Sequence, residues 1–164
     1  MRNRFDDFIE KIPKNIHNNT KTFIGGNIAV FIPDTYVFGR ALINEDYHIV
    51  IFHTTPPRAI IDNEEYELKT GTLLCMAPGV EIIVEPTKAK SPPKYVAISI
   101  KRNFLEEILF KIAGNKTIEA IIYDKHYSYK ILDLLEFFMQ EFIYLDNPSR
   151  LMIETIETQI AVQL

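Results

Sequence analysis

The sequence predicts a small antiparallel β-barrel followed by a helical segment. Three observations carry this. Residues 22–100 break into short β-rich runs separated by Gly, Pro, Asn and Asp turn signals. No strand–helix–strand alternation appears, which argues against a parallel α/β sheet. From Lys101 onward the apolar spacing changes from two to 3.6, the period of a helix.

The elements follow in order. Residues 1–21 are polar, with a short helical hint. Phe5, Phe8, Ile9 and Ile12 fall at i, i+3, i+4 and i+7, and Pro13 ends the pattern. This stretch is either an arm docked on the barrel or a frayed end. Phe23–Ile24 and Ile28–Ile32 flank Gly25-Gly26, and Tyr36–Phe38 follows Pro33-Asp34. Tyr47–Thr54 is a long run closed by Pro56-Pro57. Ile60–Asp62 and Glu65–Leu68 form a hairpin whose Asp-Asn tip suits a tight turn, because Asn tolerates positive φ. Thr72–Met76, Glu81–Glu85 and Tyr95–Ile100 complete the strands, with Gly71 and Pro78-Gly79 marking turns. Residues 86–94 read as a solvated loop. In residues 101–164, Asn103 and Glu106 form a capping-box-like pair, Leu105, Ile108, Leu109 and Ile112 a stripe, and Gly114 a stop. A second helix starts near Ser128. Ile131, Leu134, Leu135, Phe138 and Phe142 line one face, widened by Leu132, Phe137, Met139 and Ile143. Asn147 as a cap before Pro148 opens a third helix, with Met152, Ile156 and Ile160 in its stripe. The short connection predicts an antiparallel helical hairpin. The pattern is still helical at Leu164, which predicts that a longer protein continues beyond it.

Composition narrows the function classes. With 164 residues and 47% apolar content, the chain suffices for one domain with an appendage. Its net charge of −4, without a basic stripe, makes sequence-specific DNA binding by this chain alone unexpected. The single cysteine, Cys75, lies in an apolar run and reads as a buried structural thiol. No apolar run reaches the roughly 18 residues of a membrane span, and the N-terminus lacks a signal peptide's apolar core. A reducing cytoplasm is the expected compartment. There is no Gly-x-Ser-x-Gly elbow, phosphate loop or dinucleotide fingerprint. No catalytic residue and no cofactor is assigned.

The stretch from Phe31 to Leu164 resembles the sensor domain of AraC/XylS-type transcription regulators, a cupin-like double-stranded β-helix, or jelly roll, followed by helices. The resemblance rests on Asp46-Tyr47-His48-Ile49 opening a strand, then Ile61-Asp62-Asn63-Glu64-Glu65-Tyr66-Glu67-Leu68, Gly71 and Pro78-Gly79. Tyr127-Ser128-Tyr129-Lys130 follows, then Leu151-Met152-Ile153-Glu154-Thr155 to Gln159-Ile160-Ala161-Val162-Gln163-Leu164. It implies a small-molecule effector bound in the barrel, a homodimer, and DNA contacted only through a C-terminal helix-turn-helix domain that this chain does not contain. It implies no enzyme activity and no membrane partner. The chain departs from metal-binding cupins, which carry a His-x-His pair, a downstream Glu and a later His. Here His48 and His53 are five apart, on opposite faces of an extended strand, and Ile82 stands where the later His would fall. No metal site is expected.

Candidate ligand-binding residues follow from alternation and resemblance. Period two puts Ile82 and Val84 on one face, and Tyr95, Ala97 and Ser99 on one face of the last barrel strand. These positions match the pocket walls of sugar-sensing relatives. Arg40, seven residues before Tyr47, matches a ligand-contacting arginine of those relatives, and reads equally as a solvated loop arginine. Tyr36, Phe38 and Met76 complete the walls or pack in the core. Val84 and Ala97 stand where sugar binders have bulkier polar or aromatic residues, so a smaller or more apolar effector is expected. The apolar excess at Leu135, Phe138, Met139 and Phe142 predicts dimerisation through the second and third helices. Two rival readings remain at this point, a stand-alone cupin enzyme (isomerase or dioxygenase) and a structural dimerisation module with a filled barrel.

Overall fold

The computed structural model describes residues 5–88, 92–114 and 122–164. The expected loop at 86–94 therefore lies partly outside the described residues. Two short helices, α1 (Asp6–Ile9) and α2 (Lys14–Asn18), precede β1 (Lys21–Ile24), β2 (Ile28–Ile32), β3 (Leu42–Ile43) and β4 (Tyr47–Phe52). There follow β5 (Ala59–Ile61), β6 (Glu64–Tyr66), β7 (Thr72–Met76), β8 (Glu81–Val84) and β9 (Tyr95–Ile100). The chain continues with α3 (Arg102–Ala113), β10 (Ile122–His126), α4 (Tyr129–Tyr144) and α5 (Arg150–Gln163). β10 lies between the first two expected helices, where no strand was assigned from the residue pattern, and it pairs antiparallel with β7. Tyr36–Phe38, expected as a strand, makes only an isolated bridge between Phe38 and Val84.

The strands form two antiparallel sheets. One has the order β1-β2-β9-β4-β7-β10, the other β3-β8-β5-β6. The first sheet is covered on both faces, which explains why its central strands read as continuous apolar runs. β4, β7 and β9 are buried at every position. Alternation still sorts their side chains. Val96, Ile98 and Ile100 join the core under the helices, whereas Tyr95 and Ala97 join the core between the sheets. β7 divides likewise, Leu73 and Cys75 against Leu74 and Met76. The molecule is thus layered as helices, large sheet and small sheet, a jelly-roll sandwich with helices on its outer face.

Local chemistry explains the turns. Asp62 and Asn63 both take positive φ, 47° and 67°, as a two-residue type I′ hairpin requires. The Asp62 carboxylate also accepts from the Glu81 amide at 2.9 Å, tying the hairpin tip to β8. Gly114 ends α3 in the left-handed region.

The helix starts depart from the sequence expectation. α3 begins at Arg102, one residue before the expected cap Asn103. Its first amide donates to Asp46 Oδ1 at 2.9 Å, so the cap is supplied from the chain before β4. α5 begins after Ser149, whose hydroxyl accepts from the Met152 amide, and not after Asn147. The buried stripe also differs from the expected one at its first position. Ile153, Ile156, Ile160 and Ala161 face the core, while Met152 is exposed. Ile112, placed in the α3 stripe, is exposed too. α4 starts directly after Ser128, where a helix start was expected, and buries Ile131, Leu134, Leu135 and Phe138.

One buried charge joins the helices to the sheet. Glu157 on α5 is fully buried and accepts from the Asn27 amide at 2.8 Å, Asn27 Nδ2 at 2.9 Å and the Ile28 amide at 3.0 Å. The β1–β2 turn approaches so closely that a Cβ on Gly25 would run into Glu157 Oε1. It would also lie 3.1 Å from Ile153 and Phe138. Among the described residues, no helix is long and apolar enough to cross a membrane.

Candidate ligand-binding cavity

Between the two sheets lies an apolar cavity of about 80 Å³. A water needs only about 10–15 Å³ measured this way, so the interior is not filled by its own side chains. The large sheet contributes Phe31, His48, Val50, Phe52, Tyr95 and Ala97 to the wall, and the small sheet Leu42, Ile82 and Val84. Alternation places them here: on β4, His48, Val50 and Phe52 share one face, and on β8, Ile82 and Val84 do. The connection after β2 adds Tyr36 and Val37, and Pro56-Pro57 closes the side after β4.

The remaining wall is the N-terminal arm, through Phe8, Ile12 and Ile16. Of the two expectations for residues 1–21, the described part takes the docked form. Phe5 and Phe8 are buried. The Phe8 ring meets Phe31 edge-on at 6.2 Å and His48 at 5.2 Å. Lys11 Nζ donates to the Ile43 carbonyl at 2.9 Å, pinning the arm to β3.

Polar groups are few. Tyr36 and Tyr95 stack with centroids 4.3 Å apart and planes within 7°. Tyr95 Oη donates to the Thr35 carbonyl at 2.8 Å. Tyr36 Oη is buried with no hydrogen-bond partner among the described residues. Burial pushes the Tyr36 phenol up to about 12, and raises that of Tyr95. His48 is buried, and loss of solvation lowers its pKa to about 4, so its ring is neutral at pH 7.

This makes a pH prediction. The folded-state value lies below the ordinary histidine value of 6.5, so the unfolded chain binds the extra proton between pH 6.5 and about 4. The His48 contribution is complete above pH 6.5 and is lost as pH falls toward 4. It amounts to on the order of 3 kcal/mol. Between pH 6.5 and about 4.5 the urea midpoint of the native protein should fall more steeply than that of His48→Leu. Parallel pH profiles would refute the assignment.

The expected ligand-binding residues separate into groups. Tyr36, Ile82, Val84, Tyr95 and Ala97 come together on the cavity wall. Met76 is buried in the surrounding apolar cluster. Ser99 lies on the same face of β9 but accepts from Asn44 Nδ2 at 2.8 Å. Phe38 is half out in solvent and lines an outer groove with Tyr36 and His53. Arg40 is exposed, away from the cavity wall. Sequence reasoning did not name Phe8, Ile12 or Ile16 as wall residues. The i, i+4 spacing of Phe8 and Ile12 was the available signal. His53 lies outside the cavity, exposed beside Tyr127. Among the described residues, no group of three His, Cys, Asp or Glu side chains is placed to hold a metal. The cavity offers one imidazole among carbon, which does not fit the several convergent ligands a metal requires.

No protein-family model matches the chain. No curated protein matches it either. Among solved structures, the AraC-like transcriptional activator CuxR matches 98% of this chain and 62% of its own, at 10% identity and a TM-score of 0.52. ToxT from Vibrio cholerae matches 87% of this chain and 52% of its own, at 9% identity and a TM-score of 0.49. A cupin protein from Bacteroides fragilis matches 46% of this chain and 66% of its own, at 24% identity and a TM-score of 0.37. The chain therefore spans between half and two thirds of the length of these proteins. Its two antiparallel sheets and appended helices are a cupin-type jelly roll with a helical extension, the fold it shares with the AraC-like activator CuxR.

Proposed function

We propose that this chain is the effector-sensing and dimerisation part of an AraC-type transcription regulator, and that it is not an enzyme. The observation that carries this is the apolar cavity between the sheets, walled on one side by the chain's own arm. A small apolar molecule entering there presses on β2, whose Phe31 faces the cavity while Ile28 and Val30 face the helices. Glu157 ties the start of that same strand to α5. Cavity occupancy is thereby coupled to the helices by a contiguous set of contacts, and a ligand that prefers one arrangement shifts the balance between two.

The dimer surface differs from the residues first expected to form it. Leu135 and Phe138 are buried within the chain, and Met139 and Phe142 are partly buried against the same core. The apolar side chains that α4, the turn after it and α5 leave exposed include Phe137, Ile143, Tyr144, Leu145, Leu151 and Met152. A second copy of the chain is the occupant this reading assigns to them. Light scattering should report about twice the 19.0 kDa chain mass at tens of micromolar. Ile143→Asp combined with Leu151→Asp should restore the monomer mass without loss of folding, since both residues are exposed. A native monomer would refute the dimerisation part. Tightly bound metal, with turnover of a substrate that depends on it, would favour the enzyme reading.

A further inference from the structure

We infer that the effector is an uncharged, compact, mostly apolar molecule that carries a hydrogen-bond acceptor for the Tyr36 hydroxyl. This rests on the sensing role proposed above and narrows its ligand class.

Three observations converge. First, among the described residues the cavity wall holds no Lys, Arg, Asp or Glu. A charged ligand would leave water without meeting an opposite charge, which strongly disfavours entry. The one ionisable wall group among the described residues besides the tyrosines, His48, is neutral at pH 7 and offers a carboxylate no cation. Second, Tyr36 Oη is the buried side-chain polar atom left without a partner among the described residues. Its neighbour Tyr95 has the same chemistry but is already satisfied by the Thr35 carbonyl. A buried donor without an acceptor is costly, and a ligand that brings the acceptor recovers that cost on binding. Third, the cavity is about 80 Å³, while an apolar cavity of about 150 Å³ holds benzene. The cavity therefore suits a ligand of a few carbons as it stands. A ring-sized molecule enters only as Phe8 and Ile12 give way, which makes the arm the yielding wall.

Three probes of one shape separate the possibilities on the 164-residue chain. Cyclopentanone carries an acceptor, cyclopentane carries none, and cyclopentanecarboxylate carries a charge. Ligand-observed NMR titration should rank cyclopentanone first, cyclopentane second and the carboxylate last. Tyr36→Phe keeps the ring and its stack on Tyr95. It should weaken cyclopentanone about tenfold, the worth of one buried hydrogen bond, and leave cyclopentane unchanged. Without ligand, the same variant should melt no lower than the native protein, because it removes an unsatisfied group. A lower melting temperature would show that the hydroxyl is already satisfied and would overturn the assignment. So would equal or tighter binding of the carboxylate, or an unchanged cyclopentanone affinity in Tyr36→Phe. If none of the probes binds, cyclopentane included, the sensing role itself fails. The two failures are thus distinguishable.

Discussion

Glu157→Ala should destabilise the protein by about 3–5 kcal/mol, the largest effect of any single polar substitution in this fold. The carboxylate accepts three hydrogen bonds, two from backbone amides at the start of β2. Bonds to a charged acceptor contribute roughly 1.5–3 kcal/mol each, and truncation also strands the buried Ile28 amide. Gly25 and its neighbours stand against the carboxylate, so water has little room to substitute. For a chain of this size the melting temperature should fall by on the order of 10 °C. Glu157→Gln keeps one acceptor oxygen and should retain about half of the stabilisation. Glu154→Ala is the control. Glu154 pairs with the exposed Arg150 at 2.7 Å, and such a surface pair is worth roughly 0–1 kcal/mol. Equal melting temperatures for Glu157→Ala and Glu154→Ala would show that the clamp does not hold α5 to the sheet.

Phe8→Ala should cost about 2–4 kcal/mol and tighten ligand binding at the same time. Burying a phenylalanine in a core is typically worth about 3–5 kcal/mol on truncation to alanine. Here the loss is capped, because a terminal arm can lift off instead of leaving an empty hole. Phe8 contacts Phe31 and His48 across the cavity wall, so its removal enlarges the space between the sheets. A ring-sized ligand then no longer competes with Phe8. Cyclopentanone should bind at least about tenfold tighter to Phe8→Ala than to the native protein, the ratio that corresponds to ~1.4 kcal/mol of competing contact. Calorimetric melting and ligand titration of the two proteins read both effects. A destabilised variant with unchanged affinity would show that the arm packs on the sandwich without governing access.

The legible parts of this chain are those set by local chemistry. Thr72–Met76 and Tyr95–Ile100 read as strands over their observed bounds, because β-branched and apolar runs end at strong turn residues. The Asp62-Asn63 hairpin was legible because the turn needs two positive φ angles that these residues tolerate. Cavity-facing Ile82, Val84, Tyr95 and Ala97 were legible because strand alternation holds wherever a strand has two distinct faces. The helix starts were less legible. Asn103 and Asn147 have the right chemistry for a cap, but Asp46 and Ser149 hold the amides that need one. Residue type shows only which side chains can cap. Backbone position decides which one does.

By itself, the sequence determined the antiparallel β class, the turns, the helical segment after Lys101 and the apolar faces of the strands. Each of these follows from interactions within a few residues. Only the tertiary structure decided what those faces meet. Glu157 sits four residues after Ile153 and three before Ile160, on the buried side of α5. Nothing within the helix requires a carboxylate there, and its three donors come from some 130 residues away. The Tyr36 hydroxyl, without a partner among the described residues, the exposure of Arg40, the burial of Phe138 and the docking of Phe8 are of the same kind. A cavity is the space that separate elements fail to fill, so its size and polarity depend on how two sheets and an arm pack together. That packing is a non-local balance of burial against chain entropy, which the period of a single strand or helix does not record.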